Sequence, residues 1–376
     1  MRRPYQHGLV VGKFYPPHAG HLYLIRTAAQ HCQLVTVTLL ASSVESIPMA
    51  ARLAWLQDCC RDWLNVRVVA EMDDVRVDYD DPAVWEEHVA IMLAAIARAD
   101  AERGFSEPVD AVFSSEAYGD ELANRFQAAH VCLDQTRSLF PVSGTAVRAD
   151  LYAHWNDLPS PVRAGLAARV VIVGAESSGT TTLARDIAAA LRARGDVWFQ
   201  TRYVPEFGRE YSANLVALAR ARGQAGVPTD IEWQESDFIA IAHEQNRLEQ
   251  DAAMQGSPVL ICDTDALATT IWHERYRACR STQVEAIAAA MPARALYVLT
   301  DHAGVPFEDD GLRDGEPLRP WMTERFRQVL AAQAIPWIEV RGDRAQRLAA
   351  TIREVDAVLA RCRQFSVPLE YRSPGR

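Results

Sequence analysis

The sequence predicts an α/β protein built from two doubly wound, mainly parallel sheets, and three observations carry that prediction. Short apolar runs alternate with stretches of helical periodicity along the chain. Two of the runs, VVGKFYPPHAGH and VVIVGAESSGTTTL, pass through glycine-bearing turns into candidate helices. Between them, NDLPSPVRAG has two prolines within three residues and no strand signal. The units are therefore expected at residues 1–160 and 168–376.

In the first unit HGLVVGKF, QLVTVTLLAS, NVRVVAEM and DAVFSSE read as buried strands, with HLYLIRTAAQHC and MAARLAWLQDCCRDWL as helices between them. The second begins at ARVVIVG and continues through DVWFQTRY, SPVLICDTD, RALYVLTD and IPWIEVRG. It repeats the architecture of the first without repeating its sequence.

Composition narrows the function. The 376 residues carry 49% hydrophobic and 23% charged side chains, ordinary for a water-soluble globular chain. A net charge of -10 argues against a nucleic-acid binder, because neutralising a phosphate backbone needs a basic surface. Seven scattered cysteines, an odd count without a CxxC pair, fit a reducing, cytoplasmic setting. No apolar run approaches the roughly 20 residues of a membrane span. Of the 39 basic residues only Lys13 is a lysine, so that position asks for a compact ammonium rather than a planar guanidinium.

Lys13 lies between Gly12 and Phe14 at the end of the first strand, just ahead of His18, Gly20 and His21. A helix starting there offers unpaired backbone N–H groups to an anion, and two imidazoles three residues apart face the same phosphate. The run GKFYPPHAGH resembles the signature of the HxGH nucleotidyltransferase superfamily. VSGTAVRADL resembles that superfamily's S-x-x-x-[IV]-R element, with Ser143 and Thr145 as helix-capping types and Arg148 in the first turn. With Arg52, Trp85, the run VFSSE at 112–116 and the later GAESSG loop, the resemblance extends over nearly the whole chain. Its closest form is the bifunctional NadR type, nicotinamide mononucleotide adenylyltransferase fused to ribosylnicotinamide kinase.

That resemblance implies that His18, His21, Ser143 and Arg148 bind the phosphates of ATP, that Lys13 reaches across the reacting phosphates, and that Trp85 stacks on the nicotinamide ring. Mg2+ assists, and the partners are small molecules: ATP, nicotinamide mononucleotide, nicotinamide riboside and NAD. Some members also carry a helix-turn-helix repressor domain. Here the first strand is expected at about residue 8, which leaves no room for one, so DNA binding is not expected. The oligomeric state is left open, a homo-oligomer included.

The second unit holds the phosphate loop Gly174–Thr181, in which Gly174, Ser177, Ser178, Gly179, Thr180 and Thr181 surround the ligand position. The pattern G-x-x-x-x-G-K-[ST] asks for lysine where Thr180 stands. Backbone N–H groups still cradle a phosphate, and Thr181 keeps the hydroxyl that meets Mg2+. SPVLICDTD ends in Asp263, placed for the metal, and Asp265. VPEFGREY resembles the kinase family's nucleoside segment, with Glu206 and Arg209. Glu206 and Asp265 both remain candidates for the base. The polar run EDDGLRDGEPLR, 308–319, reads as a lid whose Arg313 and Arg319 close over the phosphates. An alternative makes this unit a nucleotide sensor without kinase turnover, because of Thr180. A purely regulatory binding protein is disfavoured by the intact HxGH and SGTAVR elements.

Overall fold

The computed structural model describes residues 3–104, 106–223, 231–308, 310, 313 and 315–369. The chain divides into two compact units, with a break between Gly165 and Leu166.

In the first unit the order is β1 (Tyr5–Gly12), α1 (Ala19–His31), β2 (Cys32–Ala41), α2 (Met49–Cys60), β3 (Val66–Met72), α3 (Pro82–Arg103), β4 (Ala111–Ser114), α4 (Gly119–Phe126), β5 (Ala129–Cys132), α5 (Gly144–Ala149) and α6 (Ser160–Leu166). The sheet runs β3-β2-β1-β4-β5 with every pair parallel. Neighbouring residues of β1 serve opposite faces, as the strand period of two requires. Val10 packs with Ile25, Val37 and Leu56, whereas Leu9 packs with Trp85, Met92 and Leu122. Strand β5 escapes the sequence reading because AHVC is a short, half-exposed edge without an apolar run.

The second unit contains β6 (Ala168–Gly174), α7 (Thr180–Arg192), β7 (Arg202–Val204), α8 (Phe207–Ala221), α9 (Glu235–Gln255), β8 (Val259–Asp263), α10 (Ala266–Arg277), α11 (Thr282–Ala289), β9 (Leu296–Thr300), α12 (Arg319–Ala331), β10 (Trp337–Val340) and α13 (Arg344–Cys362). Its parallel sheet runs β10-β9-β6-β8-β7. DVWFQTRY is a strand only over its last residues, since Asp196–Gln200 forms a 3-10 turn. The Thr201 hydroxyl donates back to the Trp198 carbonyl and holds that turn.

The expected second unit, 168–376, extends too far. After α13 the chain returns to the first unit. There Ser366 N–H donates to Ser46 Oγ at 3.2 Å, the Tyr15 hydroxyl donates to the Ser366 carbonyl at 3.2 Å, and the Phe365 ring lies 6.0 Å from that of Tyr15. Phe365 meets Tyr15 there, and Pro368 and Leu369 line a cavity of the first unit, which the periodicity of FSVPL does not announce.

Candidate active sites

In the first unit β1 has β2 on one side and β4 on the other, so chain crossovers leave in opposite directions and a crevice opens beyond the strands' carboxyl ends. A cavity of about 400 Å³ occupies this place. Gly12, Lys13, Phe14, His21, Ser143, Thr145 and Arg148 all line it.

His18 is the N-cap of α1, and its backbone N–H donates to Nδ1 of His21 at 3.2 Å. The two rings stack with centroids 3.6 Å apart, and the His21 ring sits 4.8 Å from that of Phe14. Burial pushes the His18 imidazole down to about 3, with Arg137 and His154 adding repulsion. Burial also drives His21 well below the ordinary range, helped by His18. Burial thus favours the neutral form of both rings. A Cβ on Gly20 would press to 3.2 Å from the His18 ring, so glycine makes the room. Ser143 caps α5 by accepting from Ala146 N–H, and Arg148 donates to the Tyr15 carbonyl at 2.8 Å and to Thr145 Oγ1 at 3.2 Å.

Arg52 does not join them. It is 1% exposed, pairs with the buried Glu45 carboxylate at 2.7 Å and donates to the Lys13 carbonyl at 2.9 Å. The Arg52 and Arg148 guanidiniums each lie 5.2 Å from the centre of the Tyr15 ring. Arg52 therefore braces the turn that carries Lys13 instead of presenting its charge to the cavity. Lys13 itself lies 3.9 Å from Glu45 and donates to the Leu369 carbonyl of the returning segment.

Trp85 is mainly a core residue, 6% exposed, with Nε1 donating to the Tyr79 carbonyl at 3.1 Å. It reaches the cavity together with Tyr79 and Tyr118, whose rings stack 5.8 Å apart. The sequence reading missed both tyrosines. It also missed Asp73 and His88, bonded at 2.6 Å, where the carboxylate holds the imidazole above its usual pKa. These residues come from the loop after β3, from α3 and from the approach to α4, and no common spacing marks them.

In the second unit a Cβ on Gly174 would stand 2.3 Å from Thr300 Oγ1, and Gly179 takes φ 91° as the N-cap of α7. Both positions need glycine. Ser178 is a correction: its fully buried hydroxyl donates to Ala175 O at 2.6 Å and pairs with Thr300 at 2.7 Å, so it shapes the loop from behind. The hydroxyls of Thr180 and Thr181 and that of Tyr203 all bond the Asp263 carboxylate, which burial pushes upward in pKa despite them. Beside it, burial first and Asp263 second raise Glu206 to about 8.

Asp265 is not the base. It caps α10 through Ala268 N–H and is held by Arg294 at 3.0 Å and the Tyr297 hydroxyl at 2.7 Å, 1% exposed beneath the sheet end. Arg209 pairs with Asp310 at the cavity edge. Arg313 also lines the cavity and donates to Ser177 Oγ and to the Glu308 carbonyl, each at 2.8 Å. Arg319 is a further correction: it starts α12, is 6% exposed, and spends its guanidinium on the carbonyls of Ser177, His302 and Val305. Within the expected lid 308–319, residues 309, 311, 312 and 314 lie outside the described residues.

Two features here were not foreseen. Trp233, Phe238, Trp272 and Tyr276 form one wall of the cavity, with the Trp233 and Tyr276 rings 5.1 Å apart. Arg347 of α13 clamps the phosphate loop by donating to Ser178 O at 2.7 Å and Asp301 O at 2.9 Å.

Residues 169–347 match the AAA domain family. The chain is 25% identical over 325 residues to the trifunctional NAD biosynthesis/regulator protein NadR of Salmonella typhimurium, covering 83% of this chain and 72% of that one. It is 25% identical over 321 residues to the Escherichia coli protein of the same name, covering 81% and 71%. Among solved structures, a NadR protein in complex with NR superposes with a TM-score of 0.66 at 19% identity, covering 99% of this chain and 100% of that one. A NadR protein in complex with NAD and AMP-PNP gives 0.63 at 19%, covering 98% of each. With its two parallel sheets, HxGH turn and phosphate loop, and these similarities running through both units, the chain is a NadR-type protein.

Proposed function

We propose that the chain makes NAD in two steps. The second unit phosphorylates the 5'-hydroxyl of nicotinamide riboside with ATP. The first transfers AMP from ATP to the resulting mononucleotide and releases pyrophosphate. The observation that carries this reading is the stacked His18–His21 pair, neutral and buried, with His21 lining the same cavity as Ser143 and Arg148.

In the adenylyltransferase site the attacking phosphate is already ionised, so no strong base is required. Lys13 and Arg148 neutralise charge on the triphosphate, while His18 and His21 gain protons or hydrogen bonds as that charge shifts toward the leaving pyrophosphate. In the kinase site Glu206 takes the proton of the ribose hydroxyl, and a pKa near 8 suits a base working at neutral pH. The aromatic wall of Trp233, Trp272 and Tyr276 receives the planar base of the riboside. Mg2+ fits both donors offered, Thr181 and Asp263, because an octahedral ion that keeps waters and phosphate oxygens needs few protein ligands. Bound there, it would neutralise the β- and γ-phosphates. Arg313, already at the loop, supplies the charge that Thr180 does not.

One observation favours the sensor alternative: the Thr180 hydroxyl is turned to Asp263 and leaves no cation after Gly179. The raised Glu206 and the placement of Arg313 favour turnover. We infer a cytoplasmic protein acting on small molecules without nucleic acid. No helix among the described residues is long and apolar enough to cross a membrane. Incubation with nicotinamide mononucleotide, ATP and Mg2+ should yield NAD and pyrophosphate, and incubation with the riboside should yield the mononucleotide. Absence of the first product ends the reading of unit 1, and absence of the second ends that of unit 2.

A further inference from the structure

Ser114 ends β4 at the cavity of the first unit. Its hydroxyl lies 2.8 Å from Nε2 of His130 on the adjacent edge strand β5, and Nδ1 of His130 lies 2.6 Å from the Asp120 carboxylate. Gly119 allows this approach, since a Cβ there would stand 2.1 Å from Ser114 Oγ and 2.2 Å from His130 Nε2. The proton directions follow from the chemistry of the groups. A carboxylate only accepts, so Nδ1 of His130 donates to Asp120. Ser114 has one proton and two groups beside it that can take it, Nε2 of His130 and the Glu116 carbonyl at 3.3 Å, so it turns lone pairs toward anything else it meets. Ser114 lines the same cavity as the aromatic rings of Tyr79, Trp85 and Tyr118.

We propose that Asp120, His130 and Ser114 form a specificity device that fixes the Ser114 hydroxyl as an acceptor and selects a pyridine carboxamide over a pyridine carboxylate. This rests on the adenylyltransferase reading of unit 1. The NH2 of a carboxamide donates to the waiting lone pairs. A carboxylate sets its own lone pairs and charge against them, and a buried polar group left unpaired discriminates more strongly than a missing apolar contact. Ser114 touches the substrate, and His130 and Asp120 are positioning residues acting through it.

The test compares kcat/KM of the full chain for nicotinamide mononucleotide and nicotinic acid mononucleotide, with ATP and Mg2+. Wild type should prefer the amide. Ser114→Ala should lower that preference roughly tenfold, the scale of one hydrogen bond, through KM for the amide rather than kcat. His130→Ala should act likewise, and His130→Gln, whose carbonyl reaches the place of Nε2, should retain most of the preference. Equal loss with both substrates in Ser114→Ala and His130→Ala, or a wild type indifferent to the two, overturns the proposal. Ammonia released from the mononucleotide would make the trio a hydrolytic centre and also overturn it. A wild type that adenylates neither substrate refutes the adenylyltransferase reading itself.

Discussion

Two titrations dominate the residue scale. His18 is held near 3 by burial while an unfolded histidine titrates near 6.5. Its stabilising contribution is complete above 6.5 and is lost as pH falls toward 3, because the unfolded chain takes up a proton that the native site refuses. A bound triphosphate reverses that balance by bringing negative charge to the ring. Nucleotide binding should therefore take up protons, increasingly as pH drops from 7 to 5. Calorimetry in two buffers of different ionisation enthalpy measures this, and His18→Gln should show less uptake than wild type; equal uptake would assign the protons elsewhere. Glu206 shifts the other way, to about 8. A base must be ionised to act, so kcat/KM for riboside phosphorylation should rise with pH up to about 8 and then level. Glu206→Gln should remove both the activity and the slope, and a flat wild-type profile from 6 to 9 would exclude Glu206 as the base.

Strand–turn–helix elements explain which parts of both candidate sites are legible in the sequence. HxGH, SGTAVR and GAESSG are each contiguous because a helix start offers its own backbone amides, and local sequence dictates that start. What was misread depends on distant partners. Arg319 looked like a lid arginine until the carbonyls of Ser177, His302 and Val305 claimed it, and Arg52, which the resemblance groups with the site residues, is claimed by Glu45. Asp265 and Asp263 are two residues apart at a strand end, yet one caps a helix and the other meets the loop threonines. Tyr79, Tyr118 and the Trp233–Tyr276 wall are gathered by packing from separate elements, which no short motif records. The phosphate loop makes a prediction of its own. With Arg313 already bonded to Ser177, Arg313→Ala should lower phosphorylation about 10³-fold or more, the scale of a lost transition-state arginine. Thr180→Lys should change it little. If wild type has no kinase activity and Thr180→Lys creates it, the sensor alternative is correct.

At the scale of the whole molecule, each cavity is lined by residues of one unit alone. Substitutions in one should leave the other's half-reaction intact, since sites without shared partners behave additively. His18→Ala and His21→Ala should each lower adenylyl transfer roughly 10²-fold, the effect of losing one preorganised donor, and spare riboside phosphorylation. A folded variant that lost both activities equally would refute two independent sites. The order of the chain nevertheless departs from the order of the units, because residues 363–369 follow α13 yet belong to the first one. There the Leu369 carbonyl takes a hydrogen bond from Lys13, and Pro368 and Leu369 line the cavity. A carbonyl oxygen is a weaker partner for an ammonium than a phosphate, so ATP can displace it, but the displacement costs one hydrogen bond and the packing of Phe365 on Tyr15. Ending the chain after Arg363 should therefore lower KM for ATP in adenylyl transfer by several-fold while riboside phosphorylation stays at its wild-type rate. Steady-state kinetics of the two half-reactions on the shortened and full-length proteins provide the measurement. An unchanged KM would mean that the segment yields its place without cost, and a raised KM that it helps to hold the nucleotide.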